Sequence, residues 1–130
     1  MPATFEIDHD ARLVRSRAWG VLVDDDLART QAGVRDDPRF EPDYCQLFDF
    51  SGVTDVRLTR EGLLALAAHS PYGPTARRAM VVPNDLGYGM ARMYQMLSGR
   101  DPELFRPFRS VEEAMQWLER PRAALPRPTR

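Results

Sequence analysis

Residues 44–50, Tyr-Cys-Gln-Leu-Phe-Asp-Phe, constrain this chain more than any other stretch. Apart from Gln46 and the terminal Asp49 every position is apolar, so a strand built from it has no face that suits water. Such a strand belongs in the middle of a sheet, covered on both sides. Ser51-Gly52 has turn chemistry, Val53 to Leu58 reads as a short extended bridge, and Thr59 caps a helix that runs to about Ser70. Open α/β sheets put ligands beyond the carboxyl ends of their strands. Asp49, which closes this strand, and Thr59, which opens the next helix, are therefore the first candidates for a site.

The rest of the chain supplies partners for that strand. Thr4 to Asp8 and Leu13 to Val23 read as strands joined by the turn Asp8-His9-Asp10, hence an antiparallel hairpin. In the second, Leu13, Arg15 and Arg17 alternate with Val14, Ser16 and Ala18, which leaves one face wet. Asp24 is a suitable N-cap for a helix with a thin stripe of Leu27, Thr30, Gln31 and Val34, placed at the periphery and stopped by Asp37-Pro38. Residues 70–74, Ser-Pro-Tyr-Gly-Pro, make a stiff loop. Arg78 to Val82 is a second buried-type strand. Asn84 or Asp85 caps a helix whose core face reads as Leu86, Met90, Met93 and Leu97, ending at Gly99. Leu104 to Phe108 is a last strand. Ser110 and Glu113 form a capping box for a final helix packed through Val111, Ala114, Met115 and Leu118. Strands alternating with helices after a hairpin predict an α/β fold with a mixed sheet of about five strands and about four helices. One domain over residues 1–120 is expected, followed by a frayed Pro/Arg-rich tail over 121–130.

Composition narrows function. All 18 basic residues are Arg, scattered along the chain, and the net charge is −1, so no field recruits nucleic acid. No apolar run approaches membrane-spanning length and the N-terminus lacks a signal pattern. The single Cys, Cys45, allows no internal disulfide, which fits a reducing, cytoplasmic setting in a bacterial-type protein. His9 sits in turn chemistry and His69 near a helix end. Neither has the neighbours that a metal site or a nucleophile–base pair requires. No cofactor and no catalytic residue are expected.

The segment Leu47-Phe-Asp-Phe-Ser-Gly-Val-Thr-Asp-Val-Arg-Leu-Thr resembles the signature of STAS domains, the anti-sigma-factor-antagonist (SpoIIAA-like) fold. The wider chain is similar to small bacterial STAS-like proteins of unassigned function. Residues 81–94, Val-Val-Pro-Asn-Asp-Leu-Gly-Tyr-Gly-Met-Ala-Arg-Met-Tyr, and the closing Phe108-Arg-Ser-Val-Glu-Glu-Ala-Met-Gln-Trp-Leu carry that likeness. The resemblance places Asp49 and Ser51 at the acid and serine that end the STAS strand, and Thr59 where the antagonists carry a phosphorylated serine. Arg57, Leu58 and Arg60 replace the acid, serine and glycine around that position, so the regulatory motif is mostly lost. The same fold also serves lipid-carrying domains, which hold a small hydrophobic ligand in an apolar pocket.

The expected role is thus non-enzymatic binding of another protein or of a second copy of the chain. The alternative is a carrier or sensor of a small apolar ligand, hinted at by Met80, Met90, Met93, Met96 and Met115, since Met lines adaptable pockets. An enzyme is the third reading. A partner-binding domain should expose an apolar patch around the second and third helices, and a carrier should enclose an apolar cavity. The expected binding residues are Asp49, Ser51, Thr59, Tyr88 and Arg92. Tyr88 and Arg92 lie four apart on one helix face, and Gly87 and Gly89 permit close approach beside Tyr88.

Overall fold

The structure is a computed structural model that describes residues 2–120. The tail expected over 121–130 lies outside the described residues. Strands β1 (Ala3–Asp8) and β2 (Leu13–Val23) form the opening hairpin. Helix α1 (Asp24–Asp36), strand β3 (Cys45–Arg57), helix α2 (Arg60–Ala68), strand β4 (Arg78–Val81), helix α3 (Asp85–Ser98), strand β5 (Phe105–Phe108) and helix α4 (Val111–Leu118) follow. The sheet order is β1-β2-β3-β4-β5, antiparallel at β1 and parallel from β2 onward.

That order decides which face each helix covers. Every crossover from β2 to β5 steps to the next strand in the same direction. Right-handed crossovers that step one way deposit their helices on one face. Leu27 of α1, Leu63 and Leu66 of α2 and Tyr94 of α3 accordingly share one buried cluster with Phe48 and Met80. Helix α4 takes the opposite face, where Ala114 and Trp117 pack on Leu47, Ala79 and Val81. Beyond its reach the second face is wet, and Arg15, Arg17 and Trp19 are exposed.

The helix starts hold as sequence chemistry requires. Gly62 N–H donates to Thr59 Oγ1 at 3.0 Å, Gly87 N–H to Asn84 Oδ1 at 2.7 Å, and Glu113 N–H to Ser110 Oγ at 3.2 Å. Each satisfies a donor that the helix leaves unpaired. Gly99 ends α3 at φ 66°, a conformation that glycine adopts without a Cβ penalty.

Three expectations are corrected. Ser51-Gly52 is not a turn, and Val53 to Leu58 is not a separate bridge. One long strand, β3, runs through both because β2 continues beside it, with Trp19 opposite Gly52 and Val23 opposite Arg57. Two register shifts interrupt the pairing, between Arg17 and Trp19 and between Gly20 and Val21. Asp24 is the first residue of α1, not its cap. Val23 takes the cap position, and its N–H donates to Asp26 Oδ2 at 3.0 Å. Finally, the core face of α3 keeps Met90 and Leu97 of the expected stripe but not Leu86 and Met93. Leu86 is 60% exposed and Met93 37%, whereas Tyr94 is 7% exposed. The inward face carries Gly87, Met90, Ala91, Tyr94 and Leu97.

Candidate apolar binding cavity

Strand periodicity builds one wall of a cavity. Gln46, Phe48 and Phe50 point to the same face of β3, and Arg78 and Met80 follow suit on β4, with Gln46 opposite Arg78 and Phe48 opposite Met80. Phe105 of β5 stands next to Arg78 in the register. Leu63 and Leu66 of α2 and Met90, Ala91 and Tyr94 of α3 close the other wall, and Leu27, Thr30 and Val34 of α1 the side. The cavity is partly open to solvent, and the volume accessible within it is about 100 Å³. Its outer rim lies at the carboxyl edge of the sheet. There the lining passes to exposed Pro83 and Asn84 and half-buried Gly87 at the start of α3. A side chain at Gly87 would add bulk against Val82, whose Cβ lies 3.4 Å from the position a Cβ would take.

The inner end of the cavity is polar. Arg78 is 4% exposed. Its Nε donates to Gln46 Oε1 at 2.8 Å, and its Nη1 donates to Tyr94 Oη at 3.1 Å and Ser70 Oγ at 3.4 Å. The guanidinium lies over the rings of Tyr72 at 4.6 Å, Phe105 at 5.3 Å and Tyr94 at 5.4 Å. These contacts hold a cation by ring faces and neutral acceptors. Among the described residues, Arg78 forms no ion pair. Tyr72 also lines the cavity, and its buried hydroxyl has no hydrogen-bond partner among the described residues. Burial pushes that hydroxyl well above the usual phenol range, against the opposing pull of the Arg78 charge. Arg100 backs the same end. Its Nη1 and Nη2 donate to the Gly73 and Tyr72 carbonyls at 2.9 and 2.7 Å, and burial, then the Arg78 charge, holds its guanidinium below the ordinary value.

No family model matches the chain, and no curated protein matches it. A solved structure does. It is an uncharacterized protein of the DUF3478 family from Shewanella loihica PV-4, described as having a SpoIIAA-like fold. It superposes with a TM-score of 0.59 over 88% of this chain and 90% of that one, at 18% sequence identity. The fold is SpoIIAA-like. At that identity the likeness concerns architecture, and site chemistry has to come from this chain's own residues.

In this SpoIIAA-like domain the residues expected to bind occupy several separate places, and none of them lines the cavity. Asp49 Oδ1 accepts from the backbone N–H of Ser51 at 2.9 Å and from its hydroxyl. The two border a shallow, exposed depression with Arg17 and Trp19. Alternation along β3 sends Phe48 and Phe50 into the cavity and Asp49 to the α4 side. Thr59 caps α2 and is itself held by Asp24, to whose Oδ1 and Oδ2 it donates from N and Oγ1 at 2.9 and 2.5 Å. Tyr88 stacks under the Arg109 guanidinium at 4.5 Å, and Arg109 also pairs with Asp85 at 2.8 Å. Arg92 is exposed. Among the described residues no three His, Cys, Asp or Glu side chains gather as a metal site would need, and no helix is long and apolar enough to cross a membrane.

Arg78, Gln46, Tyr72 and Tyr94 escaped the reading of the sequence. One signal was visible. Gln46 and Arg78 are polar residues placed in otherwise apolar, central-type strands. Only the parallel register that sets them side by side makes them a pair.

Proposed function

We propose that the protein is a carrier or sensor domain for a small, mainly apolar ligand held between the sheet and helices α1 to α3. The observation that carries this reading is the cavity itself. It has aromatic and aliphatic walls, a volume of about 100 Å³ and a rim at the carboxyl edge of the sheet. An engineered cavity of about 150 Å³ with similar walls stays dry and takes up benzene, so this one, smaller but open at its rim, suits a ring or chain of roughly six carbon atoms only if part of it lies at the rim. A close-packed domain leaves few voids of this size without a use, because each forfeits contacts along its lining.

The test is thermal denaturation with small neutral probes, toluene and 1-hexanol. A probe at about 100 times its Kd adds about 2.7 kcal/mol to the folded state, a readily measured rise in Tm. Ala91→Leu, which extends a lining residue into the space, should abolish the rise while the domain still melts cooperatively. No rise with any probe, or an equal rise in Ala91→Leu, counts against the reading. A second reading, self-association, is favoured by exposed Leu64 on α2 and exposed Leu86, Met93 and Met96 on α3. Sedimentation across a concentration series separates it: a monomer at all concentrations sets it aside.

A further inference from the structure

We infer that the ligand of this cavity is a small amphipathic carboxylate, its carboxylate bound by Arg78 and its hydrocarbon part by the walls. The inference rests on the carrier reading above and names its ligand class. A guanidinium stays charged at any pH a protein meets, so a buried arginine calls for an anion or for very good neutral acceptors. Among the described residues Arg78 has acceptors for Nε and Nη1 only, and Nη2 carries no hydrogen bond. Gln46 turns its carbonyl oxygen toward Arg78, and its amide N–H groups have no hydrogen bond among the described residues. The Tyr72 hydroxyl is the third unused donor at the same end.

An arginine and an amide side by side on neighbouring strands, both lining the cavity, offer donors for the two oxygens of a carboxylate, a planar acceptor that arginine binds well. A neutral alcohol or amide would leave the cation without a counter-charge. A phosphate would bring up to two charges against one lining guanidinium, with Arg100 behind it spent on the backbone carbonyls of Tyr72 and Gly73. A monoanion balances the site. The walls then set the remainder of the molecule. Apart from Thr30 and Gln31, whose side chains donate to the Asp26 and Leu66 carbonyls, they are apolar from Phe48 and Met80 to the rim, which suits a straight chain or a single ring.

Arg78 has a purely structural rival role, as a tether for Gln46, Ser70 and Tyr94 within three aromatic rings. The experiment separates the two. Hexanoate and benzoate are compared with their neutral isosteres, 1-hexanol and benzyl alcohol, by isothermal titration on the wild type, Arg78→Met and Tyr72→Phe. The wild type should bind each acid at least tenfold more tightly than its alcohol. Arg78→Met should lose that preference while keeping alcohol binding. Tyr72→Phe, which removes only the hydroxyl and preserves the ring under Arg78, should weaken acids several-fold and leave alcohols unchanged. Equal affinity for acid and alcohol in the wild type overturns the carboxylate assignment while the carrier reading stands. Binding of neither class overturns both. Should Arg78→Met fail to fold, the wild-type preference and the Tyr72→Phe comparison decide. A Tyr72→Phe protein that treats acids as the wild type does removes Tyr72 from the site.

Discussion

Thr59 shows how far a single residue's role depends on its surroundings. From sequence it is an N-cap at a position where STAS antagonists are phosphorylated. In the structure it is a cap whose hydroxyl also donates to Asp24 across the α1–α2 boundary. Asp24 therefore already supplies the negative charge that the α2 N-terminus favours. A Cβ on Gly62 would stand 2.2 Å from the Asp24 carboxyl carbon, so the glycine makes room for that carboxylate. This has a measurable consequence. Thr59→Ala should lose about 1 kcal/mol with the cap. Thr59→Asp keeps a cap oxygen but sets two carboxylates against each other, so it should lose more than Thr59→Ala, and Asp24→Asn should restore it. Urea denaturation of the three variants checks this. A Thr59→Asp protein as stable as wild type would show that Asp24 does not hold this position. A phosphate on Thr59 would meet the same carboxylate.

At the scale of elements, local chemistry was legible and rotation was not. Caps at Thr59, Asn84 and Ser110, the stop at Asp37-Pro38 and the glycine end of α3 follow from short-range preferences, and the structure has each. The inward face of α3 does not follow. A hydrophobic stripe counts Leu86 and Met93 as core and passes over Gly87 and Tyr94. What the stripe does not contain is the bond between Tyr94 and Arg78, which needs another strand. A helix turns about 100° per residue, so a shift of one position exchanges Leu86 for Gly87 and Met93 for Tyr94. Leu86→Ala should then change stability by no more than about 0.5 kcal/mol, as exposed sites do. Tyr94→Ala should cost about 3–5 kcal/mol, the range for deleting a buried aromatic ring. The same reason explains why Arg78 went unnoticed as a site residue. Opening a strand with arginine is unremarkable until Gln46, Tyr72 and Tyr94 are seen to surround it.

For the whole molecule the alternation of strands and helices announced the fold class, and the sheet order supplies what alternation cannot. Because α1, α2 and α3 share one face and α4 takes the other, neighbouring residues of β3 serve separate compartments. Leu47 belongs to the compact layer under α4, beside Ala79, Val81 and Trp117. Phe48 belongs to the layer that contains the cavity. Both are buried, at 5% and 7% exposure, so both truncations are costly. Leu47→Ala should lose about 2–5 kcal/mol, and Phe48→Ala about 3–5 kcal/mol less whatever the enlarged cavity regains by binding a larger ligand. Their effects on recognition should part completely. Leu47→Ala should bind the six-carbon probes as the wild type does once measured where the protein is folded. Phe48→Ala should weaken them and shift preference toward longer chains such as octanoate. Titration of hexanoate and octanoate against both variants decides it. Equal shifts in chain-length preference for the two would mean that the α4 layer and the cavity layer are mechanically one, and that the face assignment of β3 does not govern binding.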